Sequence, residues 1–320
     1  MEVSIEGVFQ ARPWVYRHLK PTPLLEHPML SSYLGTRTLV KHENHNPTGS
    51  FKIRGGLNLI GNLSPEEKKR GVITATRGNH GQSIALASRI HGVPCTVAIP
   101  HGNNPEKNDA MEAFGAQLLV HGRDFDEARE KVEEVQQQRN LRYIHSANEP
   151  DLIHGVATYA LETLESLPDP DCILVPLGGG SGLSGLLTVV RALRPRTRVI
   201  AVQAEQAPSI YLSWKKGEIV TTDCADTIAD GLATRIPFEG TFEIIRRQVD
   251  SIVTVSEEEI AEGVRQYFRT THNVAEGAAA APLAAAYKLR KELQGMTVVL
   301  ILTGGNIHTE LFAEILAGKR

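Results

Sequence analysis

Short apolar runs alternate along this chain with longer stretches in which apolar residues recur every three or four positions. GVITAT (71–76) precedes GQSIALASRIHG (81–92), TVAIP (96–100) precedes NPEKNDAMEAFG (104–115), and AQLLVHG (116–122) precedes DFDEAREKVEEVQQQ (124–138). The first kind of run predicts strands and the second helices, which is the β-α-β rhythm of a parallel sheet. The rhythm resumes with DCILVPLGGG (171–180), GLSGLLTVVRALR (182–194), RVIAVQAE (198–205) and MTVVLILTGGN (296–306). Strands this apolar belong in sheets that helices cover on both faces. The alanine-rich run AEGAAAAPLAAAY (275–287) predicts a tightly packed helix, and PEEKKR (65–70) a solvated helix start. There is no repeat of fixed period and no low-complexity linker.

The length of 320 residues, 41% of them hydrophobic, is enough for two domains with a substantial core. The expected fold class is therefore α/β, with two doubly wound lobes of mostly parallel sheet and interleaved chain segments, and ligands at the carboxyl ends of the strands. A formal charge of −3 without basic clusters argues against nucleic acid and against an anionic membrane surface. Cys95, Cys172 and Cys224 are widely spaced and odd in number, which suits a reducing compartment and forms no CxxC metal site. The N-terminus lacks a targeting pattern, and the expectation is a soluble cytoplasmic protein.

Four loops lie where such sheets bind ligands. In NPTGSFKIRGG (46–56), Lys52 opens a helix behind a tight polar turn, near a positive helix end that disfavours its own charge. A neutral lysine amine reacts with aldehydes, although a structural or surface lysine is the plainer reading of that turn alone. In LGGGSGLSG (177–185), successive glycines between a strand and a helix let backbone N–H groups converge on a phosphate. That loop fits neither a dinucleotide fingerprint nor a P-loop, whose GK[ST] ending is absent. TRGNHGQS (76–83) sets Asn79 and His80 among glycines, where they face a ligand's oxygens or simply make structural hydrogen bonds. LTGGNIH (302–308) exposes Thr303 at the end of a late strand, as a ligand contact or a helix cap.

Taken in chain order, and above all in HENHNPTGSFKIRGG (42–56) and GNHGQSIALA (78–87), these loops resemble the fold-type II pyridoxal-phosphate enzymes, of tryptophan synthase β-like architecture. Within them the threonine/serine dehydratase and serine racemase group is the most similar, over nearly the whole chain. Cysteine synthases differ at Ile53 to Gly56 and at His80. The resemblance implies a larger pyridoxal-phosphate-binding domain from residues 1–64 and 147–320, and a smaller domain, 65–146, carrying the asparagine loop. It implies that Lys52 holds the cofactor covalently and then removes the substrate's α-proton, with Phe51 positioning the ring. Gly178, Gly179, Gly180, Ser181 and Gly182 would hold the phosphate, Asn79 the ring hydroxyl, and Thr303 the pyridine nitrogen. Gly231 in ADTIADGLA and Glu276 in VAEGAA would lie close to the cofactor.

The substrate's carboxylate would sit on the loop of Thr76, Arg77, Gly78, His80 and Gly81. Arg77 departs from the serine common in the group, which acts in racemases as acid and base on the face opposite the lysine. An arginine stays protonated and cannot do so, but it can hold a substrate carboxylate through two hydrogen bonds, or pair with protein acids. Glu205 matches a cation ligand of some relatives, but QAPSIYL supplies no second carboxylate, so no metal is expected. With the chain ending soon after LTGGN, the expectation from the resemblance is an enzyme without an amino-acid-sensing domain and with a catabolic role.

The resemblance implies an α,β-elimination of L-threonine, and of L-serine, to a 2-oxo acid and ammonia, with a small β-hydroxy amino acid as partner, and the resemblance alone implies a homodimer. The alternatives are a 3-hydroxyaspartate or phenylserine-type dehydratase, a serine racemase, a non-catalytic binding protein on the same fold, and a nicotinamide oxidoreductase. Retention of Lys52 speaks against the binding protein, and the colour of the purified protein separates out the oxidoreductase.

Overall fold

The computed structural model describes residues 1–320. In chain order the strands are β1 (Leu24–Glu26), β2 (Arg37–His42), β3 (Val72–Ala75), β4 (Cys95–Ile99), β5 (Gln117–Val120), β6 (Arg142–Tyr143), β7 (Cys172–Pro176), β8 (Arg198–Ala204), β9 (Ser251–Val255) and β10 (Thr297–Leu302). The chain divides into two compact units, Met1–Lys20 with Phe51–Thr158, and Pro21–Ser50 with Tyr159–Arg320.

The first unit holds a four-stranded, all-parallel sheet in the order β5-β4-β3-β6. Its central strands are buried, whereas β5 at the edge is half exposed, as expected where only one side is paired. Alternation along β4 splits the two faces. Ala98 joins Ile73 and Ala75 under Ala128, Val132 and Val135 of helix Phe125–Arg139, while Val97 turns toward Gly81 of helix Asn79–His91.

Helix Lys52–Asn62 belongs to this unit, together with residues 1–20 and 147–158, all of which the expected bounds assign to the larger domain. The reason is close packing that only glycine allows. A Cβ at Gly56 would stand 2.8 Å from the Ser83 carbonyl oxygen, one at Gly55 2.6 Å from that of Leu152, and one at Gly155 2.4 Å from that of Arg54.

The second unit holds a six-stranded sheet in the order β1-β2-β10-β7-β8-β9, parallel throughout except for the antiparallel edge strand β1. The alanine-rich run forms helix Gly277–Lys288, buried from Gly277 to Ala286. It lies in one core with Val40, Cys172, Leu174, Ile200, Val202, Val298 and Leu300. PEEKKR is a helix with no buried residue, begun by a capping box between Ser64 and Glu67. Strand β2 does not stand out in the sequence because Lys41 and His42 interrupt its apolar pattern, yet both are buried. No helix is long and apolar enough to cross a membrane.

Candidate active site

In the second unit β2, β10 and β7 are parallel neighbours, so the segments that follow them emerge at one end of the sheet. After β2 comes the turn Asn46–Ser50, whose Asn46 amide donates to the Glu43 carboxylate at 2.8 Å. Gly49 adopts φ +65°, and a Cβ there would meet Asn306 Oδ1 at 2.5 Å. The Asn306 amide donates to the Thr48 carbonyl at 2.8 Å, the Gly305 N–H donates to the Gly49 carbonyl at 2.9 Å, and Ser50 pairs with Gly304 as an antiparallel bridge. The turn ahead of Lys52 is thus pinned to the loop that begins at Thr303, which is itself buried. Glu276 is buried in the same place, its N–H donating to the Gly304 carbonyl at 3.1 Å.

After β7 comes the glycine loop. A Cβ at Gly178 would stand 1.9 Å from the Gly231 carbonyl oxygen. Gly180 caps helix Ser181–Leu193 in a left-handed conformation, φ +92°, where a Cβ would stand 2.9 Å from Thr241 and Ile245. The Thr241 hydroxyl donates to the Gly179 carbonyl at 2.9 Å, and the Tyr159 hydroxyl to that of Gly182 at 3.0 Å. The N–H groups of that helix's first turn have no acceptor within the helix, which is the local chemistry of an anion cradle. Gly231 itself is exposed, in a short turn over Asp230–Leu232.

In the first unit Lys52 is the first residue of its helix. Its carbonyl accepts from the Ser83 hydroxyl at 2.6 Å, and its half-buried amine donates to the Ser146 carbonyl at 3.4 Å and lies 5.2 Å from the centre of the Phe51 ring. The loop after β3 is shaped by Thr76, whose hydroxyl accepts from the N–H groups of Gly78 (2.9 Å) and Gly81 (3.2 Å). Gly81 has no room for a Cβ, which would fall 2.3 Å from Met111 Sδ and 2.5 Å from Thr76 Cγ2. Arg77 and Asn79 are half-buried, and Asn79 starts helix Asn79–His91.

His80 is part of that helix and not of the loop. Its buried ring points back to β3, with Nε2 2.9 Å from Thr74 Oγ1. Burial, with Lys52 and His145 adding, holds its pKa well below the usual histidine range, so the ring is neutral. Glu205 faces the Lys288 ammonium at 3.5 Å, which also meets Glu259 at 3.1 Å.

Residues 15–304 match the family of pyridoxal-phosphate dependent enzymes. The chain belongs to that family. Its mostly parallel sheets have the fold-type II α/β architecture, and its cofactor is pyridoxal phosphate. The chain is 36% identical to the L-threonine ammonia-lyase of Thermotoga maritima over 314 residues, 98% of this chain and 78% of that one. It is similar to the solved processed form of threonine deaminase isoform 2 from Solanum lycopersicum, with a TM-score of 0.91 and 31% identity over 98% of this chain and 94% of that one. It is also similar to the serine racemase of Dictyostelium discoideum, with a TM-score of 0.88 and 31% identity over 95% and 99% of the two chains.

The N–H groups of the first turn of helix Ser181–Leu193 have the chemistry to suit the cofactor's phosphate dianion, whereas glycine at 178 and 180 is required by protein atoms, the Gly231 carbonyl and the Thr241 and Ile245 side chains. Gly178→Ala drives a methyl group into the Gly231 backbone, and the expected cost is about 1–3 kcal/mol of stability with weaker cofactor retention. Thermal unfolding and cofactor titration of the apoprotein check this, and an unchanged affinity would mean that the turn at Gly231 yields.

Proposed function

We propose that this enzyme is a pyridoxal-phosphate-dependent L-threonine ammonia-lyase that also takes L-serine, eliminating across Cα and Cβ to give a 2-oxo acid and ammonia. The observation that carries the reading is Lys52, an amine opening a helix directly behind a turn pinned to the Thr303 loop. The relatives named for this reaction support the choice of substrate.

When bound, the cofactor supplies the electron sink for the pair released at Cα. Lys52 holds it covalently and later takes the α-proton on its amine. Gly178 to Gly182 bind the phosphate, with Gly231 closing the loop, and Asn79 hydrogen-bonds the ring hydroxyl. Phe51 and Glu276 pack near the ring. Thr303 meets the pyridine nitrogen with a hydroxyl, which bears no charge and so does not hold that nitrogen protonated as an aspartate would. A weak electron sink favours prompt loss of the β-hydroxyl over a long-lived carbanion. Thr76, Gly78, His80 and Gly81 line the segment that takes the α-carboxylate, and Arg77 adds a permanent positive charge there.

The test is the visible absorbance of the purified protein, followed by 2-oxobutanoate from L-threonine and pyruvate from L-serine. A coloured protein that forms neither product refutes the substrate, and one that stays colourless with added pyridoxal phosphate refutes the role of Lys52. For Arg77→Ser, the kcat/KM for 3-hydroxyaspartate relative to L-threonine is expected to fall about 10-fold or more, the worth of a charge-assisted pair. An unchanged ratio would place Arg77 outside the substrate's reach.

A further inference from the structure

The loop after β6 carries a side chain that none of the sequence motifs includes. Arg142 grips Glu149 with two hydrogen bonds, Nη1 to Oε1 at 3.0 Å and Nη2 to Oε2 at 2.9 Å. The same carboxylate accepts from the His145 N–H at 3.2 Å. Inside this clamp His145 Nδ1 accepts from the N–H groups of Ala147 (3.0 Å) and Asn148 (2.9 Å). A ring nitrogen that accepts two N–H groups carries no proton, so the neutral ring bears its proton on Nε2. Burial first, then the charges of Arg129 and Lys52, pulls the His145 pKa down to about 4.

The position of the loop that carries this ring is also defined. β6 runs parallel to β3, so its loop leaves the sheet at the same end as the Thr76–Gly81 loop. Thr74 ties the two together, donating to the Ile144 carbonyl at 2.8 Å while its oxygen meets His80 Nε2. The residue after His145 is Ser146, whose carbonyl accepts from the Lys52 amine at 3.4 Å. A neutral imidazole is therefore held on a clamped loop, next in sequence to the carbonyl that meets the Lys52 amine and at the same sheet end as the loop after β3.

We propose that His145 is a catalytic residue whose Nε2–H hydrogen-bonds the β-oxygen of the substrate as the Cβ–O bond breaks. The role rests on the ammonia-lyase reading. Lys52 takes the proton from Cα, the pair of the Cα–H bond becomes the second bond between Cα and Cβ, and the Cβ–O pair leaves on oxygen. That oxygen receives the proton from the Lys52 ammonium and departs as water, leaving Lys52 neutral again, while His145 keeps its own proton throughout. A neutral donor suits this step, because it steadies charge developing on oxygen without opposing protonation of the neighbouring lysine.

His145→Asn separates this role from a structural one. Its side-chain oxygen replaces Nδ1 as the acceptor for the Ala147 and Asn148 N–H groups, and only the ring N–H is lost. The holoenzymes are compared on L-serine and on β-chloro-L-alanine, whose chloride leaves without a hydrogen-bond donor. The expected result is a loss of about 10²-fold in kcat on L-serine, the size seen when one such donor is removed, with β-chloro-L-alanine turned over nearly as before. The cofactor-free wild-type protein should in addition show His145 protonated only at Nε2 near neutral pH by imidazole nitrogen NMR.

Equal losses on both substrates, no loss on either, or a proton on Nδ1 overturn the proposal. Wild-type protein that eliminates neither substrate overturns the ammonia-lyase reading beneath it. Wild-type turnover of L-serine with an unaffected His145→Asn variant overturns the role of His145 alone.

Discussion

Lys52→Ala stops the formation of 2-oxobutanoate from L-threonine, with an expected fall in turnover of about 10⁴-fold or more, because one amine serves both as the covalent anchor and as the base. The fold survives the change. Lys52 is half-buried at the first position of its helix, alanine is the best helix former, and the hydrogen bond from Ser83 reaches the backbone carbonyl and not the side chain. Visible absorbance and a 2-oxo acid assay, read beside a thermal unfolding curve, separate lost chemistry from lost structure. A folded variant that keeps more than a hundredth of the activity would move the base to another residue.

Lys41→Met has the largest expected effect on stability. The Lys41 ammonium, buried in β2, donates to Glu162 and, at 2.7 Å, to the Thr22 carbonyl, with Glu43 at 3.9 Å. Glu43 also accepts from Asn46, and Glu162 from the Thr22 N–H at 3.1 Å. Removing the cation leaves two buried carboxylates facing each other, and breaking such a pair from one side costs about 3–5 kcal/mol. Because Asn46 begins the turn that precedes Lys52, cofactor retention should fall with stability. Urea unfolding and cofactor titration measure both. A loss below about 1 kcal/mol, the worth of an exposed pair, would show that water reaches the site once the lysine is gone.

The β-α rhythm was legible in the sequence because strands covered on both faces are apolar along their whole length, and the helices between them carry apolar residues on one face. The glycine cradle was legible for a related reason. Three glycines between an apolar strand and an apolar helix leave little but backbone to present. β2 was hidden because its last two residues, Lys41 and His42, are polar, and what buries the lysine is a glutamate 121 positions away. The sequence leaves His80 open between a ligand contact and a structural hydrogen bond, and the structure turns its ring onto Thr74.

The sequence by itself determined the order of elements, the parallel α/β class and the short segments able to do chemistry, since each depends on a local pattern of side chains. Only the tertiary structure decided what the glycines make room for and how the loops are held. Gly178 is required by the Gly231 carbonyl, Gly55 and Gly56 by the approach of Leu152 and Ser83, and the ring of His145 by two backbone N–H groups inside the Arg142–Glu149 clamp. Packing between distant segments depends on atoms that meet only in the fold, and the conformation that closes Ala147 and Asn148 onto His145, though local in sequence, leaves no pattern of residue types to read.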